Sequence, residues 1–184
     1  MITQNIFITI ETKEFQQDLL SKGSWLVILH AERFPPHAGL LFNGSYNSLT
    51  IKEAELDINK EVLFKTISQK KIKSFLLKLL PHPVFSLDHQ KEMFQEELKK
   101  AGSVKHNQAT CLSPIKLFFK DFYGIQSAPE ELLFDFIRQL VGNSYVEYAL
   151  SLHIQAVNGI DLPFYTHEEL NEKIKTERQT YYSN

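Results

Sequence analysis

The chain has 184 residues, 43% of them hydrophobic and 23% charged, with a formal net charge of −2. That length suits one domain with a sizeable core, and that charge gives no basic footprint for nucleic acid or an anionic membrane. The single cysteine, Cys111, excludes an internal disulfide and any zinc site built on several thiolates.

One free thiol also fits a reducing cytoplasm. The start, "MITQNIFITIETKEF", lacks a basic region and carries acidic residues where a secretory leader is apolar. No apolar run approaches the ~20 residues of a membrane span. The expectation is a cytoplasmic protein without integral membrane contact.

In chain order, "NIFITIE" (5–11) alternates and reads as a strand. "TKEFQQDLLSKG" opens on a Thr cap and ends in Gly, as a short helix does. "SWLVILHAE" (24–32) is a buried strand by its continuous apolar run, and "HAGLLFNGSYNSLTIK" is a hairpin. "EVLFKTIS" (61–68) reads as a further strand. "SQKKIKSFLLKLL" places apolar residues at 72, 75, 76, 79 and 80, which is helical spacing, and Pro81 stops it. Helices follow in "SLDHQKEMFQEELKKAG", with Met93, Phe94 and Leu98 on one face, and in "SPIKLFFKDFYG". "SAPEELLFDFIRQLVG" has Pro just inside its start and Gly just past its end. "SYVEYALSLHIQAVNG" and the charged "THEELNEKIKTERQTYY" complete a helical C-terminal part. Strands first and helices after point to an α+β fold, a small antiparallel sheet with packed helices. The whole chain, 1–184, reads as a single domain, with a core over about 1–125 and a helical extension over about 128–184.

The hairpin carries the first candidate. Asn43-Gly44 between two β-rich runs is a two-residue turn signal. It sets Phe42 opposite Ser45 and Leu41 opposite Tyr46, and carried back it sets His37 opposite Thr50. Leu40, Phe42, Leu49 and Ile51 then share the core face. His37, Gly39, Leu41, Tyr46, Ser48 and Thr50 share the other, more polar face. A hydroxyl there accepts the imidazole N–H and fixes its tautomer, as a working histidine requires. A half-exposed histidine at a strand end is the plain alternative. A one-residue bulge would exchange the faces and bring Asn47 alongside instead.

Cys111 is the second candidate. With Thr110 as N-cap, it is the first helical residue, where the helix N-terminus lowers a thiol pKa. With Ser113 as N-cap, Pro114 takes that place and Cys111 lies just outside. Cys111, Ile115, Phe118 and Phe122 form one stripe, which packs on the sheet and aims the sulfur at the strand of His37. A buried cysteine that merely fills the core is the competing reading.

Taken together, a strand with "H-x-G", a polar residue on the adjacent strand, and a downstream Cys opening a helix resemble the circularly permuted papain-like proteins. That group includes relatives of the NlpC-type cell-wall peptidases and of lecithin–retinol acyltransferase. "HAGLLFNG" matches the histidine strand and "NQATCLSPIKLFF" the nucleophile helix, over residues 25 to 125. The resemblance implies Cys111 as nucleophile and His37 as general base. The third, orienting residue falls on the following strand, where geometry selects Thr50; in the group it is a His, Asn or acid. The chemistry implied is acyl transfer or hydrolysis on a peptide-, amide- or acyl-containing substrate. Oxyanion donors would be the Cys111 N–H with Gln108 or Asn107, and Ser48 lies nearby on the polar face. No cofactor is implied.

Other constellations carry less. "HAE" (30–32) opens a zinc deaminase signature, but the second half needs two more thiolates. His30, Glu32 and His37 read as a strand end rather than metal ligands. His82 reads as a loop residue, His89 as surface and His153 as core. The basic "QKKIKS" reads as the solvated side of an amphipathic helix. The rival to the enzyme is a non-catalytic interaction module, with the aromatic-rich helices between 113 and 157 as its contact surface and a homodimer as one outcome.

Overall fold

The computed structural model describes residues 5–104 and 110–182. Its strands are β1 (Asn5–Thr9), β2 (Thr12–Lys13), β3 (Ser24–Leu29), β4 (His37–Phe42), β5 (Ser45–Leu49), β6 (Ala54–Asn59), β7 (Ser74–Leu79), β8 (Val146–Leu152) and β9 (Gly159–Pro163). Its helices are α1 (Lys60–Lys70), α2 (Leu87–Ala101), α3 (Leu112–Tyr123), α4 (Leu133–Gly142) and α5 (His167–Tyr182). Seven strands form one sheet in the order β2-β8-β7-β3-β4-β5-β6, and β1 pairs with β9 in a separate ribbon. All pairings are antiparallel except β2 with β8. The fold is α+β. Among the described residues no helix is long and apolar enough to cross a membrane.

Both faces of the sheet are covered. On one, Leu26, Ile28, Leu40, Phe42 and Phe75 pack with Phe94 and Leu98 of α2, Ile115 and Phe118 of α3, and Phe136 of α4. On the other, Trp25, Val27, Leu41, Tyr46 and Leu76 pack with Leu63, Phe64 and Ile67 of α1. A strand buried on both sides has no alternation to display. That is the reason residues 72–80 form β7 and not the helix their spacing suggests: all but one of the residues of β7 are buried.

Three further corrections have similar causes. Residues 61–68 are not a strand but lie in α1, which Asn59 caps by accepting the Glu61 N–H and whose buried residues 63, 64 and 67 follow helical spacing. The 127–142 helix begins only at Leu133, so Pro129 lies outside it. The C-terminal part is not uniformly helical: β8 enters the sheet between β2 and β7, and β9 pairs with β1. His153 therefore follows a strand, not a helix. Core residues accordingly run past 125, through Leu132, Ile137, Ala149, Ile160 and Leu170.

The hairpin has the expected register. Phe42 pairs with Ser45, Leu41 with Tyr46, Leu40 with Asn47 and Gly39 with Ser48. Its "polar" face is covered by α1, so Tyr46 and Ser48 are buried. Asn47, fully buried on the opposite face, accepts from the Asp57 N–H (2.9 Å) and from Gln95 of α2 (2.8 Å). It donates to the Ser45 carbonyl (3.1 Å). These bonds sit where the β5–β6 register shifts, between Tyr46 and Ser48, and give the interrupted ladder its partners.

Candidate functional site

The β4–β5 ladder ends at Gly39–Ser48. Beyond that point the N–H of Ala38 turns to the sulfur of Cys111. The N–H dipoles of Cys111 itself and of Leu112, at the helix start, also favour charge on the sulfur. The helix start explains the approach. Cys111 has helical dihedrals (φ −58°, ψ −23°). The Ser113 N–H donates to the Thr110 carbonyl at 3.1 Å, and Ser113 Oγ accepts the Thr110 N–H at 3.0 Å. Cys111 itself, and neither Thr110 nor Ser113, takes the capping place before Leu112, and the thiol lies at the head of the stripe with Ile115 and Phe118 that packs against the sheet. Burial pushes the thiol pKa up, and the three N–H groups oppose this without cancelling it.

His37 begins β4, opposite Leu29 of β3. It is half-buried. Burial lowers its pKa to about 4, with a smaller contribution from His30. His30 is itself shifted down, first by burial and then by Arg33. The imidazole is therefore neutral at neutral pH. Strand alternation puts His37 with Leu29 and Leu41, on the α1 side, whereas Cys111 packs on the α3 side. Both border one cleft of about 1020 Å³ that wraps the end of the sheet. No hydrogen bond joins the two side chains.

The remaining sequence candidates are placed differently. Thr50 borders the cleft, but its hydroxyl closes the 50–53 turn, donating to the Glu53 carbonyl (2.7 Å) and accepting the Glu53 N–H (3.1 Å). It makes no bond to His37. Ser48 is buried behind the site and donates across to Glu55 (3.2 Å). Asn107 and Gln108 lie outside the described residues. Among the described residues no group of three or more His, Cys, Asp or Glu is placed to hold a metal ion.

The wall opposite the sheet was not foreseen. Lys116, on α3, donates to the carbonyls of Ala128 (2.9 Å) and Glu131. His167, at the start of α5, bonds the carbonyl of Glu130. Segment 127–132 is thereby fastened over the cleft. Burial lowers the Lys116 pKa, against the pull of Glu131, Glu130 and Asp135. Aliphatic side chains, Leu132, Leu133, Leu170 and Ile174 among them, share the lining with polar ones, and Tyr165 lies near Cys111. Oε2 of Glu131 and Oγ of Ser127 are buried without a hydrogen-bond partner. No sequence signal marks them, because their isolation depends on how the segment folds back on α3.

No family model matches the chain, and no similar protein was found among the curated proteins or the solved structures.

Proposed function

We propose that the protein is a thiol-dependent acyl hydrolase or acyltransferase of permuted papain-like arrangement, acting on an amide or ester through Cys111 and His37. The observation that carries this reading is the thiol at the gap between β4 and β5, met by the Ala38 N–H inside a cleft that His37 also borders. A raised thiol and a lowered imidazole make a neutral resting pair rather than an ion pair. The sulfur then attacks the carbonyl carbon as its proton passes across the shared cleft, by way of a water, to His37. The N–H groups at the sulfur, with Asn107 or Gln108, are the candidate donors to the oxyanion. Once the turn has taken its proton and one lone pair, Thr50 keeps a lone pair for the imidazole N–H. His37 returns the proton to the leaving amine or alcohol, and water or an acceptor resolves the thioester.

The test is acylation by an activated ester, p-nitrophenyl hexanoate, followed by intact mass spectrometry. The expected result is one acyl group on Cys111, absent in Cys111→Ala and formed at least ~10²-fold more slowly in His37→Ala. No adduct, or equal rates with and without His37, overturns the reading.

The second reading is a non-catalytic binding module on the same fold. It draws on the separation of the two side chains to opposite faces of β4 and on the burial that keeps the thiol protonated.

A further inference from the structure

We propose that α5 is a lid, pivoting at Thr166, that lifts to admit a ligand to the cleft and closes over Cys111 and His37. The proposal holds for a catalyst and for a binding module alike, and stands apart from the acyl-transfer reading. Helix α5 turns four described side chains inward, the buried Leu170 and the half-buried His167, Ile174 and Glu177. Steps of three, four and three residues make them one helical stripe. All four border the cleft. Lys173 and Glu177 also border a second cavity, of about 460 Å³, together with His30, Pro35 and His37. The inner face of α5 therefore looks onto open space, where α2 and α3 look onto the sheet. His37 borders both cavities, so the helix roofs the imidazole as well as the thiol.

The hold on this helix is light. Among its described residues, Leu170 and Ile174 make the apolar contacts with the core. At its base His167 bonds the Glu130 carbonyl. Other bonds close within the helix and its cap. Glu169 accepts the Thr166 N–H (2.7 Å), Thr166 Oγ1 accepts the Glu169 N–H (3.3 Å), and Lys173 pairs with Glu177 (3.6 Å). Such bonds travel with a helix when it moves. The residue before the cap is fixed by contrast. Tyr165 is buried, with its ring against those of Phe34 (6.1 Å) and Phe134 (5.5 Å). A fixed foot, a self-capped helix and a thin apolar stripe place the hinge at Thr166. A helix of 16 residues is marginal in water by itself. Docking through two aliphatic side chains sets it at the low end of local stability.

Hydrogen exchange and thiol access, both on the full-length protein, test this. Amides of residues 169–177 are expected to exchange at least ~10²-fold faster than those of β3, through an opening that leaves the sheet intact. Cys111, the one thiol, reports entry to the cleft. Its labelling by N-ethylmaleimide and by the bulkier fluorescein-5-maleimide is followed by intact mass spectrometry at about pH 8.5, where thiolate forms. The bulky reagent should wait for the lid. In Leu170→Ala its rate should rise about tenfold, in step with α5 exchange, while β3 exchanges as in wild type. Ile174→Ala, at a half-buried place on the stripe, moves both readouts the same way and serves if Leu170→Ala does not fold. The proposal falls if α5 and β3 exchange together, or if fluorescein labelling keeps its wild-type rate in folded variants. Alkylation reads access and not catalysis. An inactive Cys111–His37 pair therefore leaves this test intact, and an immobile α5 leaves acylation of Cys111 standing.

Discussion

The ring of Tyr46 lies directly over the α-carbon of Gly39. A Cβ built on Gly39 would stand 2.6 Å from the Tyr46 hydroxyl and 2.7 Å from the Asn47 carbonyl. Neither neighbour has room to withdraw, since Tyr46 is fully buried and Asn47 is part of the β5 backbone. Gly39→Ala is therefore expected to destabilise the fold by about 1–3 kcal/mol, the usual cost of overpacking. Urea denaturation of the two proteins measures it. An unchanged midpoint would mean that β4 and β5 separate freely at this point.

Acid should weaken the protein through His37. Its pKa is about 4 when folded against an ordinary 6.5, so between these values the unfolded chain binds more protons. Stability is then complete above pH 6.5 and falls as pH drops toward 4. Since the ring is half-buried, the loss is set at about 2–3 kcal/mol. His30, shifted the same way, adds to the slope. Denaturation curves from pH 7.5 to 4.5 should steepen this loss in wild type and flatten it in His37→Gln. Parallel pH profiles would show that His37 does not titrate abnormally.

His82 fastens the loop between β7 and α2. Its Nε2 donates to the Phe122 carbonyl (2.8 Å), and its Nδ1 accepts the N–H groups of Val84 (3.1 Å) and Phe85 (3.0 Å). Phe85 and Tyr123 pack on the ring at 4.8 and 5.2 Å. His82→Ala should cost about 1–2 kcal/mol. Hydrogen exchange should quicken at the amides of Val84 and Phe85 while that of β3 is unchanged. Uniform quickening would indicate global destabilisation instead.

Sequence patterns served best where structure is local. The Asn43-Gly44 turn fixes the hairpin register, because two residues leave one way to pair the flanking strands. Ser86 and Gly102 bound α2 as cap and stop, and Gly124 ends α3. Reading failed where tertiary burial overrides period. Ile72, Phe75, Leu76 and Leu79 fit a helical wheel as well as an interior strand, and only neighbours on both faces decide. Of the site, the aim of Cys111 toward the His37 strand was legible from its stripe on α3. Thr50 falls one residue past the end of β5, beyond the last β4–β5 pair at Gly39–Ser48, and its hydroxyl is bound to Glu53 rather than to His37. The Lys116, Ser127 and Glu131 wall depends on a segment that no periodicity describes.

The position of β8 has a consequence for biosynthesis. β7 pairs with β3 on one side and with β8 on the other. Until residues 146–152 have left the ribosome, the second side of β7 is an open row of peptide groups flanked by Phe75, Leu76 and Leu77, and β2 has no strand to join. Such an edge is a template for pairing with another nascent chain. Sheet closure between β2 and β8 also joins residues far apart in sequence, which slows folding. A chain stopped before Val146 should collect in aggregates that chaperones bind, while the same chain extended through Leu152 escapes them.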